Sequence, residues 1–193
     1  MCEYIEKEKI NGINCYMLDT VAYNKFDENL EWLNYAVMSL NYGFSYYKTS
    51  PQNWELNGFG ANVYDINCEP VRYKKNVTLP DYKTIDEKLK INYVSCGCNL
   101  MKYHTLLDGT AHGIDGSSIR GIMFFEILEL NPQKRRSRPF SQHYDAFIAE
   151  SAIYNNCTLV TNDGDLFDIV NKYFPNRAIN IVELMNRIKN CID

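Results

Sequence analysis

An α/β fold built on a doubly wound, mostly parallel sheet is what this 193-residue chain predicts, and three observations carry that expectation. A β-rich apolar run near the start, Ile13 to Leu18, ends on Asp19. A second apolar run, Cys157 to Thr161, follows a long helical pattern and is too short and too apolar for anything but a strand in a covered sheet. Helix and strand patterns then alternate at both ends of the chain, the order that generates βαβ units. In such sheets the carboxyl ends of the strands form the rim where ligands bind. Asp19 and Asp163 would both be delivered there.

The elements follow in order. Met1 to Asn11 is a charged lead-in without the apolar core of a signal peptide. After the first strand, Asp27 to Asn41 predicts one amphipathic helix, with Leu30, Leu33, Val37 and Leu40 spaced three and four apart as core residues. Phe44 to Lys48 is a short aromatic strand. In TSPQNWEL, Ser50 is placed to cap a helix and Pro51 to take its first position, which sets Glu55 a little over one turn in and near the rim.

Residues 61–140 have the least pattern and read as an insertion or helical subdomain within a single domain. There Thr84 and Glu87 make a capping box opening a short charged helix, and Ile91 to Ser95 reads as a strand. LLDGTAHGIDGSSIRG reads as an exposed loop, and Ser118 to Leu130 as a helix carrying Glu126 as an alternative acid. His104, Asp108 and His112 recur every four residues, but Gly109 and Gly113 argue against the helix that would align them as ligands. Ser141 then caps a helix with Ala146, Ile148, Ala149, Ala152 and Ile153 on its apolar face and Asp145 near its start. Asn155 and Asn156 stop it. Beyond Asp163 and Asp165 come a helix (Leu166 to Tyr173), a strand (Ala178 to Val182) and a last helix from Glu183.

With 46% hydrophobic and 23% charged residues, the chain has material for one sizeable core and is short for two domains. A net charge of −4 neither announces nor excludes a nucleic-acid partner, because clustered acids lower the total while a local basic patch survives. One such patch is Lys134, Arg135, Arg136 and Arg138, directly before the Asp145 helix and placed to meet phosphate. Seven cysteines form an odd set, and Cys96 with Cys98 lacks the companion ligands of a zinc site; a reducing cytoplasm is the expected setting. No run has the apolar length of a membrane span.

Several acids on one rim need compensation. Two carboxylates about 4 Å apart repel by about 1 kcal/mol in water and about 4 kcal/mol at an effective dielectric near 20. A hard divalent cation removes that cost, and oxygen-only ligands favour Mg²⁺ or Mn²⁺ over zinc. Such ions hold substrate phosphate and activate water for in-line attack on a phosphodiester.

LDT at Leu18 to Thr20, SPQNWEL around Glu55, YDAFIAESA around Asp145 and TNDGDL around Asp163 resemble the four acidic motifs of the PIN-domain ribonucleases, the family that includes VapC-type toxins. The order of acids matches as well, and the similarity covers about residues 13 to 60 and 141 to 185. The resemblance implies a Rossmann-like three-layer α/β/α sandwich and Mg²⁺- or Mn²⁺-dependent cleavage of RNA. It implies Asp19, Glu55, Asp145 and Asp163 as metal-binding catalytic acids, Asp165 as a helper, and Thr20 and Thr161 as supporting hydroxyls. A toxin role with a protein antitoxin, and a homodimer, are further expectations from the family.

The chain departs from the family in two places. Val21 stands where many relatives have Asn, and the stretch between Glu55 and Asp145 is longer than in compact toxins. Two other readings compete. Haloacid dehalogenase-like phosphatases also begin from a strand-borne Asp but place another Asp two residues on, where this chain has Val21. A catalytically inactive RNA- or protein-binding module is the stronger alternative, although such a surface has no need of four mutually repelling carboxylates.

Overall fold

The computed structural model describes residues 14–56, 59–64, 70–72, 82–98, 111–130 and 141–192. Its centre is a five-stranded sheet of β1 (Cys15–Leu18), β2 (Ser45–Lys48), β5 (Asn92–Tyr93), β8 (Thr158–Val160) and β9 (Ala178–Ile179). The spatial order is β5-β2-β1-β8-β9, and every pairing is parallel. From β1 the chain first steps outward through β2 to β5, then returns to the other side for β8 and β9. Strand order therefore reverses between β1 and β8, the topological switch point where open α/β sheets bind ligands.

Crossovers that run in opposite directions from β1 put helices on opposite faces when they share one hand, as parallel crossovers do. Along β1, Cys15 and Met17 face a core completed by α5 (Ile119–Glu129), α6 (Ser141–Tyr154) and α7 (Gly164–Tyr173). Tyr16 and Leu18 face the other core, completed by α1 (Thr20–Glu28), α2 (Leu30–Ser39), α4 (Tyr82–Leu89) and α8 (Ile181–Ile192). The result is a three-layer α/β/α sandwich of the Rossmann-like kind. A sheet covered on both faces explains why β1 is buried throughout rather than alternating, and why Leu159 and Val160 of β8 are both buried.

Several expectations shift. The helix expected over Asp27 to Asn41 is two helices, because the Asn29 side chain accepts the Trp32 amide and starts α2 afresh. Leu30, expected in the core, is 65% exposed at that new start. Thr49 rather than Ser50 begins α3 (Ser50–Leu56): its hydroxyl accepts the Gln52 amide at 3.4 Å. Helix α4 begins at Tyr82, ahead of the Thr84–Glu87 box, and α6 already includes Ser141, so that Ser141 is helical rather than its cap. The strand expected over Ala178 to Val182 ends at Ile179, and α8 starts at Ile181, before Glu183. Asn155 and Asn156 do close α6, Asn156 with φ of 56°, a conformation asparagine tolerates.

The described parts of 61–140 are woven into the sandwich. β5 extends the sheet, Ile85 and Leu89 of α4 enter one core, and Met123, Phe124 and Ile127 of α5 enter the other. Two small pairings lie beside the main sheet: β3 (Phe59–Tyr64) with β4 (Pro70–Arg72), antiparallel, and β6 (Cys96–Cys98) with β7 (Ala111–Gly113), parallel. Part of the stretch expected as a loop is thus a strand. Lys134, Arg135, Arg136, Arg138, His104 and Asp108 lie outside the described residues. Among those described, no helix is long and apolar enough to cross a membrane.

Candidate active site at the switch point

Leu18 and Val160 are partners in register at the carboxyl ends of β1 and β8, so the residues after them are neighbours across the switch point. The Asp19 amide still donates to the Val160 carbonyl at 3.1 Å, and the chain then turns into α1. Asp19 is the N-cap of that helix: its Oδ1 accepts the Ala22 amide at 2.8 Å. Its Oδ2 accepts the hydroxyl of Thr161. Thr161 in turn accepts the Asp163 amide at 3.0 Å. Asp163 is the N-cap of α7, its Oδ1 accepting the Leu166 amide at 3.0 Å. One threonine hydroxyl therefore ties together the two acids that end β1 and β8.

Burial dominates the chemistry of Asp19. The residue is only 3% exposed, and desolvation pushes its carboxyl up to about 6. The Thr161 hydroxyl and Ala22 amide pull it down, while the charge of Asp163 pushes it up again. Among the described residues, no lysine or arginine forms an ion pair with Asp19 or Asp163. Partial compensation comes from the backbone, since both acids sit on helix N-termini, where the macrodipole favours negative charge.

Glu55 reaches the same place from α3. Its carboxylate accepts the hydroxyl of Thr20, the residue directly after Asp19. One turn earlier on that helix, Gln52 donates its amide Nε2 to the carbonyl of Leu18, the residue directly before Asp19. Helix α3 thus grips both neighbours of the buried acid. Gln52 is completely buried, and among the described residues its Oε1 has no hydrogen-bond partner, a deficit worth about 1–3 kcal/mol.

Sequence reasoning had fixed on Glu55 and passed over Gln52, although their spacing of three already put them on one helix face. It also missed Lys48, which closes an aromatic strand and is fully buried. The Lys48 ammonium pairs with Asp86 and donates to Asn53 at 2.9 Å, and the Tyr23 hydroxyl donates to Asp86 at 2.9 Å. This network joins β2, α3, α4 and α1 beside the acids.

The other expected acids occupy different positions. Asp145 is half-buried in the second turn of α6, which packs on α3, β1 and β8. Asp165 is exposed in the first turn of α7. Glu126, the alternative second acid, pairs with Lys172 and accepts the Tyr173 hydroxyl at the far end of α7 from Asp163. It does not belong to the rim.

The residues are of the kind that a hard cation takes. The donors are carboxylate oxygens, and Asp19 carries a buried, charge-poor carboxylate that a cation would relieve. Among the described residues, no three His, Cys, Asp or Glu side chains gather into a complete cage. Mg²⁺ asks for less: it commonly takes one or two carboxylates and fills its remaining positions with water and substrate phosphate. Asp19 and Asp163, whose charge raises the Asp19 carboxyl, are the two carboxylates that could serve so. No protein-family model matches the chain and no curated protein matches it.

Proposed function

We propose that this chain is a Mg²⁺- or Mn²⁺-dependent endoribonuclease of the PIN-domain kind, hydrolysing RNA phosphodiester bonds at the switch point. The observation that carries the reading is that the Thr161 hydroxyl bonds the Asp19 carboxylate and the Asp163 backbone amide, which brings acids from opposite halves of the polypeptide to the place where this class of sheet binds ligands. The bound cation would supply Lewis acidity toward the phosphoryl oxygen and lower the proton affinity of water. Asp19 and Asp163 hold the cation, and Thr161 fixes the orientation of the Asp19 carboxylate. Glu55 and Asp145 complete the acid set, with Asp165 at its edge. Thr20 orients Glu55. Lys134, Arg135, Arg136 and Arg138 contact the RNA backbone. Cleavage leaves 5′-phosphate and 3′-hydroxyl ends.

The family resemblance extends the proposal to a cytoplasmic toxin held by a protein antitoxin and to a homodimer. A second reading has one observation in its favour. Since no three-ligand cage forms among the described residues, a binding module without catalysis fits a site whose carboxylates are occupied with caps and threonines.

Incubation of single-stranded RNA with the protein and Mg²⁺ or Mn²⁺ separates the two. The nuclease reading expects cleavage that EDTA abolishes and that is lost in Asp19→Asn and Asp163→Asn proteins of unchanged fold. Binding without cleavage at any divalent concentration favours the module. Products ending in 2′,3′-cyclic phosphate would sink the proposed hydrolysis.

A further inference from the structure

We infer that Gln52 is a positioning residue: through its amide it fixes the Leu18–Asp19 peptide, and with it the direction in which the Asp19 carboxylate is presented. This rests on reading Asp19 as a cation ligand.

The sheet itself does not fix that peptide on both sides. Toward β8, the Asp19 amide is bonded to Val160. Toward β2, the register of β1 stops at Met17 with Tyr47, and the chain soon leaves β2 for α3. The Leu18 carbonyl receives the Gln52 side chain there. Only the NH₂ end of the amide can face a carbonyl, so the orientation of Gln52 is determined, and among the described residues its Oε1 meets no donor.

As a stability device this is an even trade, with one buried acceptor satisfied and another left without a donor. What the bond secures beyond that is position. Glu55, on the same face of α3, holds Thr20 in the same manner, so the two contacts bracket Asp19 along the chain. Outer groups that orient a ligating carboxylate in this way commonly change metal affinity by about 10–100-fold when removed.

The test uses the full chain with Mn²⁺ as the probe. Gln52→Met keeps the shape and removes the donor. Ser39→Ala serves as the control for buried-bond loss, because Ser39 is fully buried and bonded to Ala36 and Tyr46, away from the rim. Mn²⁺ affinity is measured by calorimetry, and hydrogen exchange is followed at the Ala22 amide, which is bonded to Asp19. Positioning predicts Mn²⁺ binding weaker by about 10-fold or more in Gln52→Met, with melting no lower than in Ser39→Ala, and faster exchange confined to Ala22 and its neighbours. Wild-type Mn²⁺ affinity in Gln52→Met overturns the inference. Should the wild-type protein bind no Mn²⁺, the cation reading fails, and the exchange result still decides: unchanged protection of Ala22 in Gln52→Met overturns the positioning role as well.

Discussion

The hydroxyl of Thr161 donates to Oδ2 of Asp19 across a sequence separation of 142 residues. It also accepts the Asp163 amide, so it adds to the Asp19 amide–Val160 carbonyl bond a side-chain link between the ends of β1 and β8. Thr161→Val keeps the branched shape and deletes the hydroxyl. The buried carboxylate then loses a donor, at a cost of about 1–3 kcal/mol. The denaturant midpoint should fall with an unchanged slope, and Thr161→Ser should recover most of the loss.

Asp19 makes the metal-free protein pH-sensitive in an unusual direction. Its carboxyl is raised by burial to about 6 in the fold from an ordinary 3.8, so the folded state holds the proton more tightly than the unfolded one. Below about 4 this group imposes no penalty. Stability falls as pH rises toward about 6, and above that the full penalty, on the order of 3 kcal/mol, is present. Urea denaturation of the EDTA-treated protein should show this decline between pH 4 and about 6. Asp19→Asn should flatten it, so the variant is more stable than wild type at neutral pH while losing cleavage.

Under the proposed function Asp163 would serve two purposes that substitution can separate. As the N-cap of α7 it needs only a side-chain oxygen, which Ser or Asn supplies. As a cation ligand it needs the negative charge. Asp163→Ser should therefore melt within about 0.5 kcal/mol of wild type yet lose Mg²⁺-dependent cleavage, whereas Asp163→Ala should lose cleavage and about 1 kcal/mol of helix stability besides. Equal activity in Asp163→Ser and wild type would leave the residue as a cap alone.

These residues also show where the fold was legible in advance. Buried parallel strands demand unbroken apolar runs and turn residues after them, so β1 with Asp19 and β8 with Asp163 stood out. Lateral order did not, because nothing in an apolar run states which strand lies beside it; that β1 and β8 are neighbours follows from crossovers and packing. The single helix expected over Asp27 to Asn41 runs across Asn29, whose backbone ends one helix and whose side chain starts the next. β6 and β7 are three residues each, and both include a glycine, too little for an alternation to register. Gln52 looked like any polar helix residue until α3 docked on β1 and buried it.

Glu55 and Glu126 offer the sharpest contrast between the expected acids. Glu55 is bonded to Thr20, next in sequence to the buried Asp19. Glu126 is bonded to Lys172 and Tyr173, at the opposite end of α7 from Asp163, and these partners hold its carboxyl below the usual range. Glu55→Gln preserves size and can still accept from Thr20, so the fold should survive with little change in melting temperature. Cleavage of single-stranded RNA should nonetheless drop by about 10²-fold or more, since under the proposed function the lost charge is part of the acid set that would hold the cation. Glu126→Gln weakens only a surface pairing, and its cleavage rate should match wild type. Comparable losses in both variants would mean that the acids act through the fold's stability and not through the rim; a loss in Glu126→Gln alone would reverse the assignment of the second acid.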